Sequence, residues 1–499
     1  MRDNAVHLLF SNASFACVEK GAYFPKGTSV LVKDGKVESL LAPGEQAPAD
    51  AKVVDLGGRS VIPGLVNPHV HLQMKLPTIV PARADMKKVK EFGRAQLEKN
   101  LSDCVDRGVT VVCDAVTEDL SKNRRLKERI SSGELKGPRI VQCVLVSPHG
   151  GAFSPERGLR LKLLYLLAGM KLLKYDDKLC GTVVFRPDAA EQEIRDAVDR
   201  AIDERGANVI KFYDQREFTL SYRPGAAVME PKQLYAAADQ VRKRALASTM
   251  HHLTVESMRR GLAAGVTSLA HLPYDEALTP EDVRSFRHSE CVLTPTLSLA
   301  YIFSLDLKNL PSAGLPGTEL LAKLRRDTMG LLAKEFWVEG FQGPFLDGLK
   351  RAEAGKLKLA GFLDMTRVFN YYCGVAGHGA DNMARLYEAG VELAVANDAG
   401  AVSLTPAMVT LEILLLSAFI TRARGERKFC GADALRAATL NGARSIGLEK
   451  VHGSILPEKA ADLVVMDGDP LSDPSLIGAP AAAVFIGGRA ASNRCGLKM

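Results

Sequence analysis

The sequence predicts an α/β protein, a (β/α)8 barrel of the TIM type with a small sheet domain assembled from both ends of the chain. Three observations predict it. Eight short apolar runs alternate with helix-like stretches through the middle, the pattern of repeated βα units in a parallel sheet. Residues able to bind metal or exchange protons fall at the carboxyl ends of those runs, where such barrels carry their chemistry. Both termini read instead as short strands joined by Gly-, Pro- and Asp-containing turns.

At 499 residues the chain exceeds the size of one simple core, so two domains are expected, although a decorated barrel approaches this length. Hydrophobic content of 46% and charged content of 25% are globular averages, which argues against disorder. The net charge of +7 is modest, and the only long basic tract is Lys122 to Arg129; nucleic acid is not an expected partner. Nine cysteines are scattered without a CxxC pair, which fits free thiols in the cytoplasm better than a disulfide framework. Met1 to Cys17 contains Asp3 and lacks a basic region followed by an apolar one, so export is not expected. Leu161 to Leu173 and Leu411 to Ile420 are too short or too interrupted by lysines to span a bilayer. The first reads better as an amphipathic helix packed on the protein than as one lying on a membrane. A homo-oligomer acting on a small molecule is expected.

In chain order, Ser29 to Val32, Asp34-Gly35-Lys36 and Val37 to Leu40 give a hairpin signal with Asp-Gly at its centre. The barrel strands follow at Leu65 to His71, Val109 to Asp114, Arg139 to Val146, Asn208 to Tyr213, Ala247 to His251, Val266 to His271, Cys291 to Thr296 and Glu392 to Asp398. Between the third and fourth, Glu191 to Glu204 aligns Ile194, Ala197, Val198, Ala201 and Ile202 on one helical stripe. Ala461 to Asp467 and Ala483 to Arg489 are strand-like again. The expected division is therefore 1–63 with 447–499 for the sheet domain and 64–446 for the barrel. Two stretches, near 152–182 and 298–379, are too long for ordinary loops and are expected to be helical insertions on the functional face.

His69 and His71 leave the end of the first barrel strand on the same side, because side chains alternate along a strand. Paired neutral imidazoles at such an end can meet a metal at about 2.0–2.1 Å. Lys211 ends an apolar strand, where a bare ammonium is costly to bury and would repel a cation. Carboxylation by carbon dioxide would convert it into an anionic carbamate able to bridge two ions; the alternative is a lysine paired with an acid or reaching solvent. Of the adjacent His251 and His252, which point to opposite sides, His251 is assigned to the site and His252 to structure. His271 ends the sixth strand. Asp398 can bind metal and exchange a proton with metal-bound water, helix capping being its alternative role. Tyr222 and Arg223, beyond strand four, could hold a substrate carboxylate or lie on a solvated loop. Neither a P-loop nor a Gly-x-Ser-x-Gly nucleophile elbow is present.

With these residues in place, the chain resembles the amidohydrolase superfamily, in particular its imidazolonepropionase-like and Xaa-Pro dipeptidase-like branch. The matching pieces are Val61 to His71, Gly137-Pro138-Arg139-Ile140, His149-Gly150-Gly151, Val209-Ile210-Lys211, His251, Ala264 to His271, Pro295-Thr296-Leu297, Gly390 to Asp398, Ala437 to Ala443 and Gly453 to Val465. The resemblance implies a barrel beside a β-sandwich and a binuclear centre, with zinc the default metal. It implies His69, His71 and Asp398 as ligands of the more buried ion, His251 and His271 as ligands of the second, and carboxylated Lys211 as the bridge. It also implies that His149 contacts a substrate carbonyl, and that metal-activated hydroxide cleaves a C–N amide bond of a dipeptide or N-acyl amino acid while Asp398 carries the proton. The sequence departs from the family at Ala396-Asn397, where Gly-Thr is usual, and at Ala270, where glutamate is usual.

Within the same fold the rival activities are mononuclear deamination and cyclic-amide hydrolysis; outside it the rival is a noncatalytic scaffold. Deaminases of this fold commonly need a glutamate three residues after the strand-five histidine, and Thr254 stands there.

Overall fold

The computed structural model describes residues 7–72, 86–117, 119–151, 177–215, 226–298, 375–400, 404–424 and 429–498. Two sheets organise them. The first takes β1 (Leu8–Cys17), β2 (Ala22–Tyr23), β3 (Ser29–Lys33), β4 (Lys36–Leu41) and β5 (Lys52–Pro63) from the start of the chain. The second holds β6 (Leu65–Val70), β7 (Val109–Asp114), β8 (Arg139–Pro148), β9 (Thr182–Phe185), β10 (Val209–Tyr213), β11 (Ala247–His251), β12 (Ser268–Ala270) and β13 (Val292–Thr294). The chain then returns to the first sheet with β14 (Leu463–Met466), β15 (Ala483–Ile486) and β16 (Arg489–Asn493).

The expected hairpin forms between β3 and β4, with Val32 opposite Val37. Asp34 and Gly35 turn it at φ of 51° and 78°, as a two-residue turn with left-handed backbone requires. The two chain ends join where β14 pairs antiparallel with β5, giving the order β16-β15-β14-β5-β1-β3-β4. Apolar side chains from both ends fill one core beneath this sheet, among them Phe10, Val54, Leu463 and Phe485. The Phe10 and Phe485 rings meet edge to face at 4.8 Å, so residues 475 positions apart hold the sheet closed by burial.

In the second sheet β6, β7, β8, β10, β11, β12 and β13 pair in that order, all parallel. The eighth stave is the segment from Val391 to Ala399, which forms parallel bridges to both open edges, Leu293 with Leu393 and Val70 with Ala399. The bonds from Ala394 N to Leu293 O at 2.8 Å and from Asp398 N to His69 O at 3.0 Å complete the closure. The (β/α)8 expectation therefore holds, with β9 added against the far end of β8. The helix expected from residue 191 runs Glu191–Asp203 and buries Ile194, Ala197, Val198 and Ala201. Ile202 packs against the core from a half-buried position.

Alternation along the strands separates an outer layer under the helices from an inner plug. Val66, Val111, Cys113, Val141, Cys143 and Val209 pack together inside the barrel, whereas Ile210 and Phe212 belong to the outer core. Lys211 and Tyr213 share the inward face of Val209 and sit one and two steps nearer the carboxyl end. Most of both expected insertions, and the stretch Leu161 to Lys174, lie outside the described residues.

Candidate active site

Six of the sequence-derived residues gather at the carboxyl ends of the staves. His69 and His71 stand at the end of β6, 2% and 9% exposed. Their rings lie 5.4 Å apart. Both Nε2 atoms approach Asp398 Oδ1, His71 at 2.8 Å and His69 at 3.4 Å. The ring of His271 lies 5.3 Å from that of His69 and 4.4 Å from that of His251. One ligand atom from each of His69, His271 and Asp398 falls within 4.8 Å of the others, and all three residues are buried.

The backbone at this rim is strained. His271, Thr296 and Asp398, at the carboxyl ends of staves six, seven and eight, have φ of 77°, 54° and 50°. Left-handed backbone at residues other than glycine persists only where the surroundings enforce it, and it concentrates at functional sites. Beside Asp398, Gly400 (φ 108°) runs so close to the His71 carbonyl that a Cβ there would overlap it.

Burial keeps the imidazoles of His69, His251 and His271 neutral. Burial, reinforced by the charge of Lys211, lowers His69 to about 4. Burial also drives His251 and His271 well below the ordinary histidine value. Burial works to raise the Asp398 carboxyl, yet His69 and His71 hold it well below the usual carboxylate range. The result is neutral nitrogen donors around an ionised oxygen donor, the protonation state that metal binding requires.

Lys211 is 2% exposed, and burial lowers its ammonium to about 8. Its Nζ has no hydrogen-bond partner among the described residues, nor does His71 Nδ1. Buried polar atoms left in this way are costly and call for a partner. Carboxylation of Lys211 beside a divalent cation would give its partnerless amine a role, and the neutral imidazoles around ionised Asp398 supply donors for that cation, so the residues present fit a metal centre. His252, 0% exposed, places Nδ1 2.9 Å from Ala270 O. His149 follows β8 and is half-buried, with its N–H donating to Phe185 O at 2.9 Å. Tyr222 and Arg223 lie outside the described residues.

Several contributors were missed by sequence reasoning. Gln215 Oε1 lies 2.8 Å from His251 Nε2, and the Tyr213 ring stacks on the same imidazole at 4.2 Å. Thr296 Oγ1 lies 2.7 Å from His271 Nδ1. These are short-range polar contacts between loops, and no periodicity announces them. Asp114 receives Leu72 N at 3.0 Å, Asn123 Nδ2 at 2.8 Å and Thr117 Oγ1 at 3.0 Å, fixing the chain just beyond His71. The unusual Asn397 donates to Thr405 O and accepts from Asn67 Nδ2 at 2.8 Å. It thereby ties the first stave to the eighth, beneath the candidate ligands.

Residues 60–491 match the family model described as Amidohydrolase family. The chain belongs to the amidohydrolase family. No curated protein matches this amidohydrolase in sequence. Among solved structures it is similar to a Xaa-Pro dipeptidase with bound methionine in the active site, at 17% identity, covering 97% of this chain and 99% of that one with a TM-score of 0.66. It is also similar to A. niger ochratoxinase, at 15% identity over 98% and 96% of the two chains with a TM-score of 0.63. A molinate hydrolase aligns at 15% identity over 97% and 94%, TM-score 0.64. At these identities the likeness establishes a shared fold.

Proposed function

We propose that this amidohydrolase is a metal-dependent enzyme that cleaves a C–N amide bond in a small molecule of the dipeptide or N-acyl amino acid class. The observation that carries the reading is the convergence of buried His69, His271 and Asp398 donor atoms within 4.8 Å, beside a buried lysine whose amine lacks a partner among the described residues. Burying these groups together costs stability unless a cation compensates them. The dipeptidase of the same fold supports the substrate class.

In this reading His69, His71 and Asp398 would hold the more buried ion and His251 with His271 the second. Lys211, carboxylated by carbon dioxide, would bridge them, and zinc suits the imidazole and carboxylate donors. When bound, the ions supply Lewis acidity toward the amide carbonyl and lower the pKa of water. Asp398, ionised, accepts the proton of the attacking water on a carboxylate oxygen and passes it to the leaving nitrogen. His149 contacts the substrate carbonyl, and Tyr222 and Arg223 bind the substrate carboxylate. Every candidate ligand falls in 64–446, which leaves 1–63 and 447–499 to a supporting sheet domain. Free thiols among the described cysteines support a cytoplasmic protein.

Deamination is disfavoured by Thr254, whose Oγ1 accepts from Ser257 N at 3.1 Å to cap the helix Val255–Ala264. That position serves the fold and offers no carboxyl group for ring protonation. The test is metal analysis of the purified protein combined with a panel of dipeptides and N-acyl amino acids. Two zinc ions per chain with amide turnover support the reading; bound zinc with no amide turned over favours a scaffold. Carbon-13 bicarbonate should label Lys211, and Lys211→Ala should lower metal content; full occupancy without Lys211 rejects the bridge.

A further inference from the structure

Glu412 lies in the first turn of the apolar helix Val409–Arg424 and is 0% exposed. No step assigned above uses it. Its Oε1 accepts Leu297 N at 2.8 Å, while Oε2 accepts Ser298 N at 2.7 Å and Ser298 Oγ at 2.6 Å. A carboxylate that takes two successive peptide N–H groups fixes the path of that backbone. The residue just before them is Thr296, a β-branched side chain at φ 54°, a conformation it adopts only under constraint. Its hydroxyl is the group 2.7 Å from His271 Nδ1.

We infer that Glu412 and Thr296 are positioning residues for the His271 imidazole. The carboxylate clamps the peptide after Thr296, the clamped turn aims the hydroxyl, and the hydroxyl engages Nδ1. Nε2 is left as the nitrogen available to the candidate metal cluster. Outer partners of this kind set both the tautomer and the orientation of a liganding histidine. The helix carrying Glu412 follows the stave that delivers Asp398, so one carboxylate couples the units on either side of the site. This inference rests on the binuclear reading above, with His271 on the second ion.

The test is zinc retained per chain when the full-length, zinc-loaded protein is equilibrated against a graded chelator, with circular dichroism as the fold control. Wild type should retain two equivalents. Thr296→Val should release one of them at a free-zinc level about tenfold or more above that needed for wild type, with the other unchanged. Thr296→Ser, which keeps the hydroxyl, should restore wild-type retention. Glu412→Gln should show the same selective release, and the double variant Thr296→Val/Glu412→Gln should be no weaker than Thr296→Val alone, because both act through one imidazole. Wild-type retention by Thr296→Val, or additive losses in the double variant, overturns the inference while leaving the binuclear reading intact. Wild type retaining a single equivalent overturns that reading and this inference with it. Should Glu412→Gln fail to fold, the Thr296→Val and Thr296→Ser pair decides alone.

Discussion

Gln215 Oε1 and His251 Nε2 stand 2.8 Å apart, with the His251 ring lying almost parallel to Tyr213, at 13°. An amide oxygen accepts, so the imidazole proton belongs on Nε2 and the lone pair on Nδ1. Thr296 engages the opposite nitrogen of His271. The neighbouring imidazoles are thus held by different edges, and each contact would decide which nitrogen faces the proposed metal centre. Gln215→Ala should weaken metal retention by about 10–100-fold, the usual cost of removing such an outer partner. Gln215→Glu, which keeps an acceptor oxygen, should lose less. Metal content by mass spectrometry checks both, and equal retention in all three proteins would show that the contact is incidental.

Gly400 separates the Asp398 turn from the helix beyond it, at φ 108° and against the His71 carbonyl. A methyl group there meets backbone that is itself hydrogen-bonded, His71 N to Ala399 O at 2.6 Å, so neither side can yield without opening the bridge between staves one and eight. Gly400→Ala should destabilise by about 3 kcal/mol or more, combining strained backbone with overpacking, and should also lower activity. Thermal unfolding measures the first effect. A melting temperature equal to wild type would mean that the closure is looser than described.

The cluster of candidate site residues was legible because alternate histidines at a strand end, and charged residues that terminate apolar runs, have few other physical uses. The eight staves were legible for the same reason as the helix Glu191–Asp203: burial imposes a period that the sequence must carry. Gln215 and Thr296 were not, because a single hydrogen bond across a loop leaves no period. Glu412 did leave a trace, one carboxylate within the apolar run Leu411 to Ile420, although only the structure supplies its acceptor role. The unusual Asn397 also needed coordinates, since its partners Asn67 and Thr405 come from different units.

Asp282 offers a pH-dependent test away from the site. Arg259 donates to both of its oxygens, at 2.6 and 2.9 Å, and Thr279, the N-cap of the helix Pro280–His288, donates N–H and hydroxyl to Oδ2. The Arg259 hydrogen bonds lead in holding the carboxyl well below the usual aspartate range, against some opposition from burial. Because the folded value is depressed, the stabilisation is full above the unfolded value of about 4 and is lost as pH falls through the folded one. Asp282→Asn should therefore cost about 1–2 kcal/mol at pH 7, with the gap to wild type steady down to about pH 5 and narrowing below about pH 4. Paired melting curves across this range read it directly; a gap that widens in acid contradicts the assignment.

Asp398→Asn separates chemistry from architecture at the centre of the site. Asparagine matches the volume, and it is among the few residues that tolerate left-handed backbone, so the φ of 50° at this position raises no new strain. The amide cannot take a proton from water as the carboxylate does, and it no longer supplies the charge facing His69 and His71. Turnover should fall by about 10²–10⁴-fold, the range associated with loss of a general base, while the melting temperature of the metal-stripped protein moves little. Metal content must be measured beside the rate, since Asp398 is also proposed as a ligand. Retained metal with lost turnover assigns Asp398 the proton, parallel loss of both makes its role as a ligand dominant, and near-normal turnover with metal in place removes Asp398 from the reaction.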